Sequence, residues 1–382
     1  MKFRLATGLL TLAAIAAASP LSVAAAGEPT GFAYFHTYAE AVAVIDQTVA
    51  DHPDLAQKFS IGDSYQRRPI FGLMLTANVS AGSQGRPEVV VDSLIHARER
   101  ASLEMSLYMI GVLTDYYGKT GTTLGQRVTR LLDTTVVYVL PVLNPDGAVF
   151  DFKGGVFHKW RKNRQPIPNS TEIGIDLNRN FRFMWGCCGG SSANPAKEDY
   201  RGPTYFYAPE VVAYRDFIKS HPGLTEALTI HSAARRVLWP YGYTVEDVPD
   251  TMAVDDHSAM VALAQGIGER NGFPAIQSSD MYVSDGDGDD WTYHSQGVFR
   301  LTLEMSAGAT RRYYPSLNEL NADIARNKRA ILWYLEQAGC PYAAAGLEAT
   351  YCPTPTTNGV QSMSLADGKR TATLASAGRS TD

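Results

Sequence analysis

Apolar positions recur near helical period over Tyr38–Val49, and His52-Pro53 ends the run. Lys58–Ile61 and Ile70–Leu75 read as strands on either side of the turn Gln66-Arg67-Arg68-Pro69. Glu88–Ile95 contains Val89, Val90 and Val91 in succession, the pattern of a strand buried on both faces. A helix is predicted from about Ala101 to Tyr117, followed by a second buried strand over Thr134–Leu143. Pro209-Glu210 opens a further helix, with proline near the first position and an acid in the first turn. Ala227–His231 and Val298–Glu304 are predicted strands. Ser316 and Glu319 form a capping box for a helix ending near Gln337.

Helical and strand patterns alternate from about Phe35 to Gln337 with no long linker and no internal repeat. The expected fold is therefore α/β: a single domain whose mixed, twisted sheet carries helices on both faces. The chain start reads differently. Lys2 and Arg4 precede the apolar run Leu9–Ala18, and Ala24-Ala25-Ala26 offers small residues for cleavage before Gly27. That layout predicts a secretory signal peptide over residues 1–26. The run is too short and too rich in alanine to span a bilayer, and Pro20 interrupts it. The expected domain covers residues 27–342, and residues 343–382 read as a low-complexity tail of Ala, Ser, Thr and Gly.

Composition narrows the class. With 382 residues, 45% of them hydrophobic and 19% charged, the chain is neither disordered nor a small disulfide scaffold. The net charge is −5, and loss of Lys2 and Arg4 with the leader takes it to −7. A chain of that sign has no bulk attraction for nucleic acid or anionic membrane. No later stretch has some 18 consecutive apolar residues, so no membrane association is expected after cleavage of the leader. Export makes the four cysteines candidates for disulfides. Cys340–Cys352 is the preferred pair, with Cys187 and Cys188 either bonded to each other or free.

Candidate chemistry sits at strand ends. The strand from Glu88 ends at His96-Ala97-Arg98-Glu99, where His96 and Glu99 are three apart and can face one point. Imidazole nitrogen and carboxylate oxygen suit zinc. Such a pair also arises by chance in many chains. His231 adds weight, because it ends another apolar strand, and open α/β sheets build their sites at strand ends. Two histidines and one glutamate leave a fourth zinc position open, an arrangement suited to catalysis. Glu304 closes the strand Phe299–Glu304, either as a paired strand end or as a general base.

Several further motifs follow in order: Asn144-Pro145-Asp146-Gly147, Arg161-Lys162-Asn163-Arg164, Asp176-Leu177-Asn178-Arg179-Asn180, Pro240-Tyr241-Gly242-Tyr243 and Asp290-Trp291. With the His96 and Glu304 motifs, this series resembles the zinc metallocarboxypeptidase family, from about Tyr34 to Gln337. The resemblance implies one Zn2+ per chain on His96, Glu99 and His231, with Glu304 as general base. It implies that Arg164 polarises the scissile carbonyl and that Asn178 and Arg179 grip the terminal carboxylate of a peptide or protein substrate. Bidentate pairing with a carboxylate explains the use of arginine there. Tyr282 falls where the family has a mobile tyrosine, Arg98 and Arg161 match further positive groups of the cleft, and Asp176 resembles the carboxylate that orients the first zinc histidine.

The run Asp285-Gly286-Asp287-Gly288-Asp289-Asp290 has three readings: a solvated acidic loop, a calcium site, or part of a specificity pocket. It departs from the EF-hand template. In the family the residue before Asp-Trp lies at the pocket base, so Asp289 implies some preference for C-terminal Lys or Arg. One departure from the family is Arg100, where tryptophan often follows the His-x-x-Glu motif. The expected function is a secreted (extracellular or periplasmic), monomeric zinc carboxypeptidase. A peptidoglycan stem-peptide amidase of the same fold and a non-catalytic peptide-binding module are the alternatives.

Overall fold

In the computed structural model, which describes residues 35–305 and 313–352, the apolar runs assemble into one eight-stranded sheet. The strands are β1 (Ala56–Asp63), β2 (Pro69–Leu75), β3 (Glu88–Ser93), β4 (Val136–Leu140), β5 (Leu224–Ser232), β6 (Arg236–Trp239), β7 (Ala275–Gln277) and β8 (Phe299–Met305). Their order is β1-β2-β4-β3-β5-β8-β6-β7. The central strands β4, β3, β5 and β8 run parallel. Antiparallel pairings join β2 to β4 on one side and β6 to β8 on the other. Every residue of β3, β4, β5 and β8 is buried, as the run of valines predicted for β3.

The helices are α1 (Tyr38–Asp51), α2 (Arg100–Asp115), α3 (Thr123–Thr134), α4 (Pro145–Asp151), α5 (Pro209–Ser220), α6 (Val254–Asn271), α7 (Ser278–Met281), α8 (Gly288–Gln296), α9 (Leu317–Leu335) and α10 (Glu348–Tyr351). Adjacent residues of a strand point to opposite faces. On β3, Asp92 accepts a hydrogen bond from Tyr214 of α5 at 2.9 Å, and its neighbour Ser93 accepts one from Ser106 of α2 at 2.9 Å. Helices therefore cover both faces. The capping box of α9 forms as predicted. The predicted strand over Thr134–Leu143 is shorter in the structure, because Thr134 closes α3 and the strand begins at Val136.

Chain order reverses beside β3: the chain leaves β3 for β4 on one side and later returns to β5 on the other. Ligand sites of open α/β sheets form at the carboxyl ends of strands at such a point. Structure also continues past the expected domain end, through α10 to Cys352, held by a Cys340–Cys352 disulfide. The predicted leader and the tail beyond Cys352 lie outside the described residues. No helix of the described residues is long and apolar enough to cross a membrane.

Candidate active site

The turn after β3 carries the first two candidate ligands. Leu94 has φ 52° and donates its N–H to Ser102 Oγ, which bonds back to the Glu99 carbonyl at 2.7 Å. Glu99 N–H closes onto the His96 carbonyl at 3.0 Å. This tight turn brings Glu99 Oε1 within 2.9 Å of His96 Nδ1. His231 enters from β5, its Nδ1 3.1 Å from both His96 Nδ1 and Glu99 Oε2. In the β5–β8 register His231 lies opposite Glu304.

The donor set fits zinc. A tetrahedral ion with bonds of about 2.0–2.1 Å holds its donors roughly 3.3 Å apart; the two histidine nitrogens stand 3.1 Å apart, and one ligand atom from each of the three residues lies within 4.8 Å of the others. His96 turns its other nitrogen, Nε2, toward Asp176 Oδ1 at 3.2 Å. An Nε2–H donated there leaves the Nδ1 lone pair facing the cradle. Asp176 also accepts from Arg161 through Nε at 2.9 Å and a terminal nitrogen at 2.8 Å. Burial alone would raise the Asp176 pKa, but Arg161 and His96 hold it well below the ordinary range.

Glu304 shares this pocket. Its Oε2 is buried with no hydrogen-bond partner among the described residues. Burial and the charge of Glu99 push its carboxyl up to about 7. Arg161 lies beside the trio, 3.3 Å from His96 Nδ1 and 3.7 Å from Glu99 Oε1. Arg164, expected to face the scissile carbonyl, points elsewhere. Its guanidinium stacks over Phe150 at 3.6 Å and Trp160 at 4.4 Å, and none of its described contacts is with the trio or Glu304. Of the two arginines in this motif, Arg161 and not Arg164 lies against the trio.

Asn178 and Arg179 reach the same region through Asp176, whose Oδ1 accepts the Asn178 N–H at 3.1 Å. Asn178 Oδ1 accepts from Gly288 N–H at 2.9 Å, tying it to the start of α8. Arg179 is buried beneath Tyr282, 5.9 Å from the ring, and Tyr282 is 50% exposed. Arg98 has less freedom than expected of a cleft cation. It is paired with both oxygens of Glu198 at 2.8–2.9 Å and stacked 4.2 Å from the Tyr313 ring. Arg100 is buried and faces Asp151 at 3.3 Å.

The acidic run is not a solvated loop. Asp285 is fully buried, Asp287 caps α8, and Asp290 accepts the N–H groups of Gly242 and Tyr243 at 2.9 and 3.1 Å. Asp289 accepts from Arg300 Nε at 2.6 Å and from Thr302 Oγ1. Arg300 forks onto Asp92 at 2.7 and 3.1 Å. Sequence reasoning missed Arg300, because an arginine in a buried strand has no local signal for its partner.

The cradle of two histidines and one glutamate at the carboxyl ends of parallel strands has the donor set that a catalytic zinc takes. The model of the zinc carboxypeptidase family, Peptidase_M14, matches residues 41–330. The chain is 35% identical over 323 residues to a zinc carboxypeptidase of Saccharothrix mutabilis subsp. capreolus, covering 82% of this chain and 71% of that one. It is 35% identical over 277 residues to carboxypeptidase A1 of Homo sapiens, covering 72% of this chain and 63% of that protein. Bovine thrombin-activatable fibrinolysis inhibitor, solved with a tick carboxypeptidase inhibitor, superposes with TM-score 0.69 at 25% identity, over 80% of this chain and 97% of that one. The chain belongs to the zinc carboxypeptidase family, metallo-exopeptidases that hydrolyse peptides.

Proposed function

We propose that this chain is a secreted, monomeric, zinc-dependent carboxypeptidase that releases single residues from the C-terminal end of peptides. The observation that carries this reading is the convergence of the His96, Glu99 and His231 donors with the unpartnered Oε2 of Glu304. His96, Glu99 and His231 would hold the ion. When bound, zinc supplies Lewis-acid polarisation of a carbonyl and acidifies water. Glu304 takes the proton of the attacking water and returns it to the leaving amine, a task for which its unpartnered Oε2 is available. Arg161, rather than Arg164, donates to the oxygen on which negative charge develops, and Asp176 holds it in place. Asn178 and Arg179 receive the terminal carboxylate, with Tyr282 over them and Arg98 at the edge of the cleft. Export is supported by the leader-like start and by the Cys187–Cys188 and Cys340–Cys352 disulfides, which persist in oxidising compartments.

The side chain of the released residue is the finer question. Asp92 and Asp289 share the single cation Arg300, so this group of three carries one negative charge in excess. That excess supports a preference for C-terminal Lys or Arg. Because Arg300 and Thr302 already engage Asp289, the preference is expected to be a modest one. Asp289→Asn should lower the Lys-to-Phe ratio of kcat/KM about threefold or more, measured on matched peptides, and an unchanged ratio removes Asp289 from specificity.

Glu304→Gln tests the chemistry. The variant should bind zinc as the parent does, by metal analysis, and lose turnover by about 10^3-fold. Near-parental turnover would remove Glu304 from the proton path.

A further inference from the structure

Asp287 caps α8, Asp289 accepts from Arg300 and Thr302 of β8, and Asp290 accepts from the Gly242 and Tyr243 N–H groups, whereas the fourth acid of the run, Asp285, reaches across to a different segment. Its carboxylate accepts from Gly186 N–H at 3.2 Å, Cys188 N–H at 3.0 Å, Gly190 N–H at 2.9 Å and Ser191 Oγ. These backbone donors lie outside any helix or strand, so the carboxylate replaces the pairing that regular structure would give them. Within the segment, the neighbours Cys187 and Cys188 are joined by a disulfide that stiffens the turn between them, and both are exposed. Gly190 packs so tightly on the chain beside Asp285 that a Cβ there would lie 2.5 Å from Ser284 Cα and 2.6 Å from Asp285 N.

Both sides of this contact lead to Arg179. The Gly190 carbonyl accepts from Arg179 Nε at 3.1 Å. Next to Asp285, the Gly286 carbonyl accepts from Phe181 N–H at 2.9 Å, two residues past Arg179. A Cβ on Gly286 would meet the Arg179 carbonyl at 2.8 Å. The described hydrogen bonds of the guanidinium go to two carbonyls, Gly190 and Asn178. A guanidinium has five N–H donors, so others remain for an anion.

We infer that Asp285 is a positioning residue: by gathering the 186–191 segment around its carboxylate, it fixes the Gly190 carbonyl and thereby the direction in which Arg179 presents its free donors. The inference rests on the proposed role of Arg179 as reader of the substrate's terminal carboxylate. Asp285 does not touch the substrate in this account. Its loss should therefore act on binding of the charged chain end and not on the chemical step.

Asp285→Asn keeps the shape but sets an amide against the backbone donors. For a peptide free acid, its KM should rise about tenfold while kcat stays within about threefold of the parent. For the matching C-terminal amide, the low residual kcat/KM, read at high enzyme concentration, should be unchanged, because that substrate lacks the charge that Arg179 reads. A purely structural role for Asp285 would lower both activities together and overturn the inference, as would a parental KM in a folded variant. If Asp285→Asn does not accumulate as folded protein, the Cys187→Ala/Cys188→Ala double variant loosens the same segment. It should lower the ratio of free-acid to amide kcat/KM, and an unchanged ratio overturns the inference. Failure of the underlying reading looks different: the parent enzyme itself would then release no residue from free acids.

Discussion

At the scale of single residues, the two arginines of Arg161-Lys162-Asn163-Arg164 separate cleanly. Arg161 donates twice to Asp176 and lies 3.3 Å from His96 Nδ1. Arg164 lies against Phe150 and Trp160. Arg161→Ala should therefore lower kcat/KM by about 10^2–10^3-fold, the range for removing a donor to a developing oxyanion. Arg164→Ala should change kcat/KM less than threefold while costing about 1 kcal/mol of stability for the lost cation–π contacts. Steady-state kinetics and denaturant melts of both variants check the pair, and a reversed result would return the role to Arg164. The distinction was not legible in the sequence. The two residues are three apart in a segment with neither helical nor strand period, so spacing does not say which one turns inward. The convergence of His96, Glu99, His231 and Glu304 was legible because each ends a strand or its following turn, where the strand pattern itself fixes the place in the fold.

At the scale of elements, strand ends and turns build the site, and α4 ties two of them together. Asn144 caps α4 by accepting from Gly147 N–H at 2.9 Å. Its Nδ2 donates to the Ile95 carbonyl at 3.0 Å and the Lys162 carbonyl at 3.2 Å. One buried side chain thus joins the residue before His96 to the residue after Arg161. Asn144→Ala should cost about 2–3 kcal/mol, since it leaves buried donors and acceptors unpaired. The same variant should weaken zinc binding, and calorimetry with metal titration reads both effects. Elements with strong apolar contrast, such as β3, α1 and α9, were legible. The helix α6 was not, because its buried positions include Ala259, Ala264, Gly266 and Gly268, which give a weak apolar stripe. The helix α3 was missed as well, although Val128, Leu131 and Leu132 form a clear buried stripe on it. The three readings of the acidic run stayed open because the partners that bury Asp285 are chiefly backbone N–H groups about a hundred residues earlier, which side-chain patterns do not encode.

At the scale of the whole molecule, an acidic chain carries a local concentration of buried arginine. The net charge is −5, yet Arg161 and Arg179 both sit buried or half-buried around Asp176. That contrast suits a site that measures a chain end by its single negative charge. The sheet order places the candidate site at the point where strand order reverses, so candidate ligands that follow β3 and lie on β5 meet between neighbouring strands. The central claim is an exopeptidase that needs both a metal and a free C-terminal carboxylate. Its most direct test is mass spectrometry of peptides supplied in parallel as free acids and as C-terminal amides, with and without a zinc chelator. The account predicts stepwise loss of single C-terminal residues from the free acids, abolished by the chelator, with the amides largely intact. Internal cleavage, equal cleavage of acids and amides, or release that survives chelation would contradict it.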